Sequence, residues 1–421
     1  MFKHTRGLEQ KPVRFRFAAL RSRPFTLLWL GGIVSYIGGQ MQLTGTAWLV
    51  LQATHSALLL GILSLCSALP MIILPPFGGT LADRANPITL LKWARGIQII
   101  LPLLVAFLLV SGQLQLWMLC VHASLVAAAT AFSLPTNQTL LPSLVPPEDA
   151  QSATSLQSAM FASASLVGPA LGGLLLQPMG VAGLFLADAL STLAVFLPLF
   201  WLHGISAGER GKVQTPSLHT MGGIPSIFQH RTLFALLLMA ICLSLLQGSS
   251  QVLLPMFAQV QFHVGADGYG WLRAASGAGG LLSGLTLSGV GNIRRKASFM
   301  VGATFLQGST LLLFAHVPFY ALALILIFLG GLFGTVASAI VQTQIYLLAP
   351  QQIRSRIMGL YIVALVGFNA IGGMIGGSLA QASSCSQALT WLAGVLGMGA
   401  LLLKPSLSRG ETMARARSRE R

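Results

Sequence analysis

Stretches of about twenty apolar residues, nearly free of charge, recur along almost the whole chain, and each is long enough to cross the hydrocarbon core of a bilayer. A soluble surface has to be wetted, and soluble chains carry about 25% charged residues. Here 8% are charged and 54% are hydrophobic, which excludes a soluble globule and reads as a polytopic membrane protein. The stretches lie near 25–50, 57–81, 88–110, 115–135, 153–177, 179–202, 232–260, 266–290, 297–316, 318–347, 357–381 and 385–404. With no water inside the membrane to satisfy backbone groups, each is expected to be a helix, giving an all-α protein of twelve spans.

A net charge of +16 raises the question of nucleic acid, and its distribution answers it. If the loops alternate between two sides, one side collects both tails, the 82–95 region, the central loop, and the loops at 291–297 and 348–356. Those segments hold 24 of the 25 Lys and Arg, with Arg273 left over. The basic excess is therefore a topology signal that places both termini in the cytoplasm, and no nucleic-acid partner is expected. The apolar run after the basic N-terminus is too long for a signal-peptide core, so 1–24 reads as a cytoplasmic tail. Cys66, Cys120, Cys242 and Cys385 have no metal-type spacing and read as packing residues. No metal or cofactor is expected. The longest polar interval, 203–231, divides a first half (25–202) from a second (232–404), and 405–421 forms a basic tail.

The halves echo each other. GPALGG at 168–173 has a counterpart in GGMIGG at 372–377, and a looser pair links 79–83 to 284–288. On a helix, Ser165, Pro169 and Gly173 form one column and Ala164, Gly168 and Gly172 the column beside it. Phe368, Gly372 and Gly376, beside Asn369, Gly373 and Gly377, repeat the pattern. Small-residue stripes let membrane helices approach backbone to backbone, and Pro169 is expected to bend its span. The stripes read either as a seam on which two halves rock or as close packing alone.

These motifs carry a resemblance. GTLADR at 79–84 is similar to the loop 2–3 signature of the major facilitator superfamily, and ASLVGPALGG at 164–173 to the span-5 signature of its proton-exchanging exporters. FRFAALRSRPFTLLWLGG (15–32), AWLVLQATHSALLLG (47–61), LLPSLVPPEDAQSATSLQ (140–157) and RSRIMGLY (354–361) resemble the branch of the enterobactin exporter and related transmembrane secretion effectors. The resemblance implies two pseudo-symmetric six-helix bundles. It also implies a gating latch at Gly79, Asp83 and Arg84, with Arg354 and Arg356 at the start of span 11. The latch departs from the family pattern at Asn86, Pro87 and Ile88, and Ser288 replaces the acid in the second half. The resemblance further implies a cavity lined by spans 1, 4, 7 and 10. There the candidates are Gln40, Gln42, Trp48, His122, Asn137, Gln247, Gln251 and Gln342, each Gln being equally suited to an interhelical hydrogen bond. Such a lining, apolar with a few amides, suits a small molecule.

Of nine acids only Asp188 lies deep within a span. A carboxyl there is a candidate proton carrier, or an acid hydrogen-bonded in helix packing. Arg273, a few residues into span 8, reads as an anion contact or as a side chain snorkelling to the interface. The absence of a Walker pattern leaves a gradient as the energy source. The expected function is proton-coupled efflux of an amphipathic small molecule (siderophore, metabolite or drug-like compound) by a monomer in a bacterial inner membrane. Uptake and lysophospholipid translocation are the alternatives. An intramembrane enzyme would need convergent catalytic groups that no motif supplies.

Overall fold

The computed structural model describes residues 18–74, 87–201, 231–289, 296–350, 353–395, 397–399 and 403, and all regular structure among them is helical. The first half contains α1 (Arg23–Thr54), α2 (Ala57–Ile73), α3 (Pro87–Val110), α4 (Leu116–Ser143), α5 (Ala150–Phe196) and a short α6 (Pro198–Trp201). The second contains α7 (Arg231–Met256), which runs into a π-helical turn (Phe257–Gln261), then α8 (Ala266–Gly289), α9 (Lys296–His316), α10 (Tyr320–Leu348), α11 (Arg354–Ala382) and α12 (385–395). Among the described residues seven helical stretches are long and apolar enough to cross a membrane, and Ala57–Ile73 is a shorter apolar helix. Helices α1 and α8 fall outside those seven, because both exchange apolar residues for glycines and polar side chains.

Helix α5 covers two predicted spans in one element. Helical dihedrals continue through Pro169, and the non-helical residue inside is Gly180, at φ 66° and ψ 176°. Packing against α1 shows what that break does. Gly32 faces Met160, Gly168 faces Ile37 and Gln40, and Gly172 faces Met41 and Thr44. On the other arm, Gly31 faces Ala194 and Val195, Gly38 faces Ser191 and Asp188, and Gly45 faces Leu184. Along α1 the first arm's partners therefore climb in number while the second arm's descend. The arms are antiparallel, and α5 turns back on itself. The dihedrals at Gly180 belong to a region open essentially to glycine alone, while a Cβ there would meet nothing within 4 Å. Gly180→Ala is therefore a purely conformational test. It should lower stability by about 1–3 kcal/mol, read as a drop in the thermal midpoint of the detergent-solubilised protein.

The other positive-φ turns gather at the same end as Gly180. His55 and His263, at φ 52° and 51°, follow α1 and the π-turn after α7 in corresponding places of the two halves. Histidine is among the few non-glycine residues that visit this region readily. Hydrogen bonds tie these turns to their neighbours. Ser56 Oγ donates to Gln381 Oε1 (3.3 Å), Gln261 Nε2 to the Val317 carbonyl (2.7 Å), and Tyr320 OH to the Gly268 carbonyl (2.8 Å).

Apolar packing divides along the same axis. At the turn end a single core draws on both halves, with Leu51, Leu60, Leu184 and Phe185 in the same cluster as Leu253, Phe257, Leu272, Phe314 and Leu389. At the opposite end the described residues form two cores. One holds Phe25, Leu91, Leu141, Leu156 and Leu199 of the first half; the other holds Leu236, Met300, Val341, Ile357 and Tyr361 of the second.

Candidate functional site

The two small-residue columns of α5 have different neighbours. The column of Ala164, Gly168 and Gly172 meets α1 of its own half. The column of Ser165, Pro169 and Gly173 meets α8 of the other half: Gly277 packs on Ser165, Gly270 on Pro169 and Gly173, and Gly173 on Ala266 and Asp267. Helix α11 repeats the division. Gly372 and Gly376 pack on Leu245 and Ser249 of α7, while Gly377 packs on Ala57 and Leu58 of α2 and Gly373 lies between Val252 and Ser64. Gly61 of α2 in turn meets Gly373 and Met374. Backbone contact without side chains between is what such columns permit, and Ser249 Oγ donates to the Gly372 carbonyl at 2.7 Å across one of them.

Polar groups predicted to share one cavity fall into two sets. Gln40 and Gln42 are two residues apart, so about 200° separates them around α1. Gln40 faces the other half, where Arg273 of α8 donates Nη2–H to Gln40 Oε1 (3.2 Å) and Nη1–H to Thr44 Oγ1 (3.5 Å). One turn along each helix, Trp48 stacks on Tyr269, with ring centroids 6.0 Å apart and planes at 20°. Trp48 thus finds its stacking partner within the protein. Gln247, Gln251 and Gln342 are exposed on α7 and α10.

Gln42 turns inward instead. Its Nε2 lies 3.3 Å from His122 Nε2 of α4, and the His122 ring meets Phe185 edge-on at 5.4 Å. Three residues beyond Phe185, Asp188 is buried against Gly38 and Gly39 of α1. Asn137 lies beside Arg95, Tyr36 and Gln157 around a small cavity in the same half. The structure corrects the loop assignment of Arg95. It lies within α3, about 12 Å from the helix start at a 1.5 Å rise, and is 8% exposed. Counting it with the basic loops concealed a buried cation. Its helical position, eight residues inside an apolar run, was the available signal. Tyr269, one turn before Arg273, could have been found in the same way. Asp267, in the first turn of α8, is exposed.

Gly79, Asp83 and Arg84 lie outside the described residues, as does the side chain of Arg356. Arg354 donates Nε–H to the Ala349 carbonyl at 3.4 Å and holds its guanidinium 4.7 Å over the Tyr346 ring. Among the described residues no three His, Cys, Asp or Glu side chains converge as a metal site would require.

The sequence model of the transmembrane secretion effectors, a branch of the major facilitator superfamily, matches residues 15–420. The chain belongs to this family. It is a multi-pass membrane transporter of the major facilitator kind, handling small-molecule substrates, and its relatives are transporters rather than enzymes. Macrolide efflux protein A of Streptococcus pyogenes is 22% identical over 296 residues, covering 70% of this chain and 73% of its own. The enterobactin exporter EntS of Shigella boydii is 26% identical over 354 residues, covering 83% and 84%. Among solved structures, the nucleoside transporter NupG superposes with a TM-score of 0.70 at 16% identity over 91% of this chain and 99% of its own, a likeness of fold.

Proposed function

We propose that this secretion-effector family member is a secondary active exporter that moves an amphipathic small molecule by alternating access in exchange for protons. In this reading twelve spans form two six-helix bundles, with both termini in the cytoplasm of a bacterium and the monomer in its inner membrane. The carrying observation is the division of the apolar core, shared between the halves at the turn end and separate at the other. Helices that share a core at one end and part at the other enclose a cleft, and the basic-loop rule points that cleft at the cytoplasm. An exporter loads from that side. The columns facing the other half, Pro169 with Gly173 and Gly373 with Gly377, supply the surfaces on which the bundles tilt. Gly168, Gly172, Gly372 and Gly376 brace each bundle internally.

Gln40, Arg273, Gln247, Gln251 and Gln342 are the polar groups offered to substrate, while Asp188 carries the proton outside the cleft. Gly79, Asp83, Arg84, Arg354 and Arg356 form the cytoplasmic gate. Efflux is supported by the relatives, named for export of enterobactin and efflux of macrolides. Comparing metabolites in cells and medium, with and without the gene, tests the reading. A compound accumulating inside and missing outside in its absence is the expected result. A compound or lysophospholipid left outside would replace export by uptake.

A further inference from the structure

Among the described residues two formally charged side chains are buried, Arg95 at 8% exposure and Asp188 at 7%, and they are opposite in sign and in the same half. Arg95 Nη1–H donates to Gln98 Oε1 (3.0 Å), and Gln98 Nε2 passes a bond to Thr130 Oγ1 of α4 (3.0 Å). Arg95 Nε has no partner. The side chain lines a cavity of about 20 Å³ with Tyr36, Asn137 and Gln157, room for about one water. Asp188 stands on the second arm of α5, where α1 has no side chains to exclude it: a Cβ on Gly39 would lie 3.7 Å from Asp188 Oδ1. Tyr36 and Gly39 are three residues apart, on one face of α1, so the cavity that Arg95 shares with Gly32 and Tyr36 and the Asp188 carboxyl beside Gly39 lie along the same face of that helix. The remaining titratable groups near this arm are His122, against Phe185 from α4, and Lys92 of α3, whose Nζ caps the Phe200 ring at 4.3 Å.

We infer that Arg95 is the positioning counter-charge of Asp188, the two balancing each other beside Tyr36 while the carboxylate is ionised. A charge alone among apolar helices is costly, and removing one partner of a buried pair strands the other. When Asp188 takes a proton, the guanidinium loses that balance and is left to Gln98 and the cavity amides. Proton binding would then be sensed by α3 as well as by α1 and α5. The inference rests on the proposed role of Asp188 as proton carrier and adds the residue that sets when it titrates.

Infrared difference spectra of the full-length protein in lipid nanodiscs, taken between acidic and alkaline pH, test this without a substrate. Wild type should show a buried carboxyl band that Asp188→Asn removes. Arg95→Gln should displace the pH at which that band appears by about one unit or more, and Arg95→Lys should largely restore it. An unmoved band in Arg95→Gln overturns the pairing and leaves Asp188 titrating alone. A band that survives Asp188→Asn overturns the proton-carrier reading itself. Should Arg95→Gln fail to fold, the double variant Arg95→Gln/Asp188→Asn is expected to recover the yield of assembled protein. A double variant no better than the poorer single one overturns the pairing.

Discussion

Leucine in place of Gly173 is expected to reduce transport to background while leaving the chain inserted in the membrane. A Cβ at this position would stand 2.7 Å from the Ala266 carbonyl oxygen and 2.9 Å from Gly270 Cα, both backbone atoms of α8 that no rotamer change can move aside. Overpacking of this kind costs about 1–3 kcal/mol. It falls on a contact between the halves, so each half can keep its own fold. Gly377→Leu, opposed by the backbone of Ala57 and Leu58, should behave alike. Gly172→Leu should not. Its Cβ would meet Met41 Cα at 2.9 Å within the first half, so the loss should appear as reduced assembly as well as reduced transport. Efflux from everted vesicles, set beside the yield and thermal midpoint of each purified variant, separates the two outcomes. Normal efflux by Gly173→Leu would show that the α5–α8 contact does not move in the cycle.

The second large effect is expected at Asp188. Asparagine keeps nearly the same volume and removes the ability to carry a proton, so Asp188→Asn should abolish accumulation driven by a pH gradient. Exchange of substrate for substrate across the same vesicles should persist, because Gln40 and Arg273, the groups proposed to meet substrate, lie on the other side of α1. Unchanged gradient-driven accumulation would return Asp188 to a packing role.

The helices were legible in the sequence because a lipid environment removes ambiguity. Wherever charge disappears for twenty residues, only a helix satisfies the backbone, and α3, α9 and α11 begin and end within a few residues of expectation. The glycine columns were legible as surfaces of close approach, since periodicity alone places Gly168 beside Gly172. Their partners were not. Nothing in the one-dimensional pattern says that one column meets α1 and the next meets α8, and that distinction separates bracing from motion. The polar candidates were legible by residue type but not by the face each one takes. Gln40 and Gln42 were grouped by composition, although helical geometry already set them on opposite faces. Arg95 was hidden by a rule that sorts cations by loop, which cannot see a guanidinium a few turns inside a helix and facing its neighbours. Trp48 needed Tyr269 of the other half, a contact more than two hundred residues away in the chain.

The unequal division of the apolar core bears on how such a carrier behaves when idle. Opening the turn end would part Leu51, Phe185, Leu253 and Leu272 from common company, whereas among the described residues the buried apolar clusters at the opposite end each belong to one half. With the proposed orientation of the termini, the protein is expected to rest sealed toward the outside and to spend driving force on each excursion. A cell that stops making substrate would retain a closed outer wall, with little passive leak of protons or solutes through these molecules.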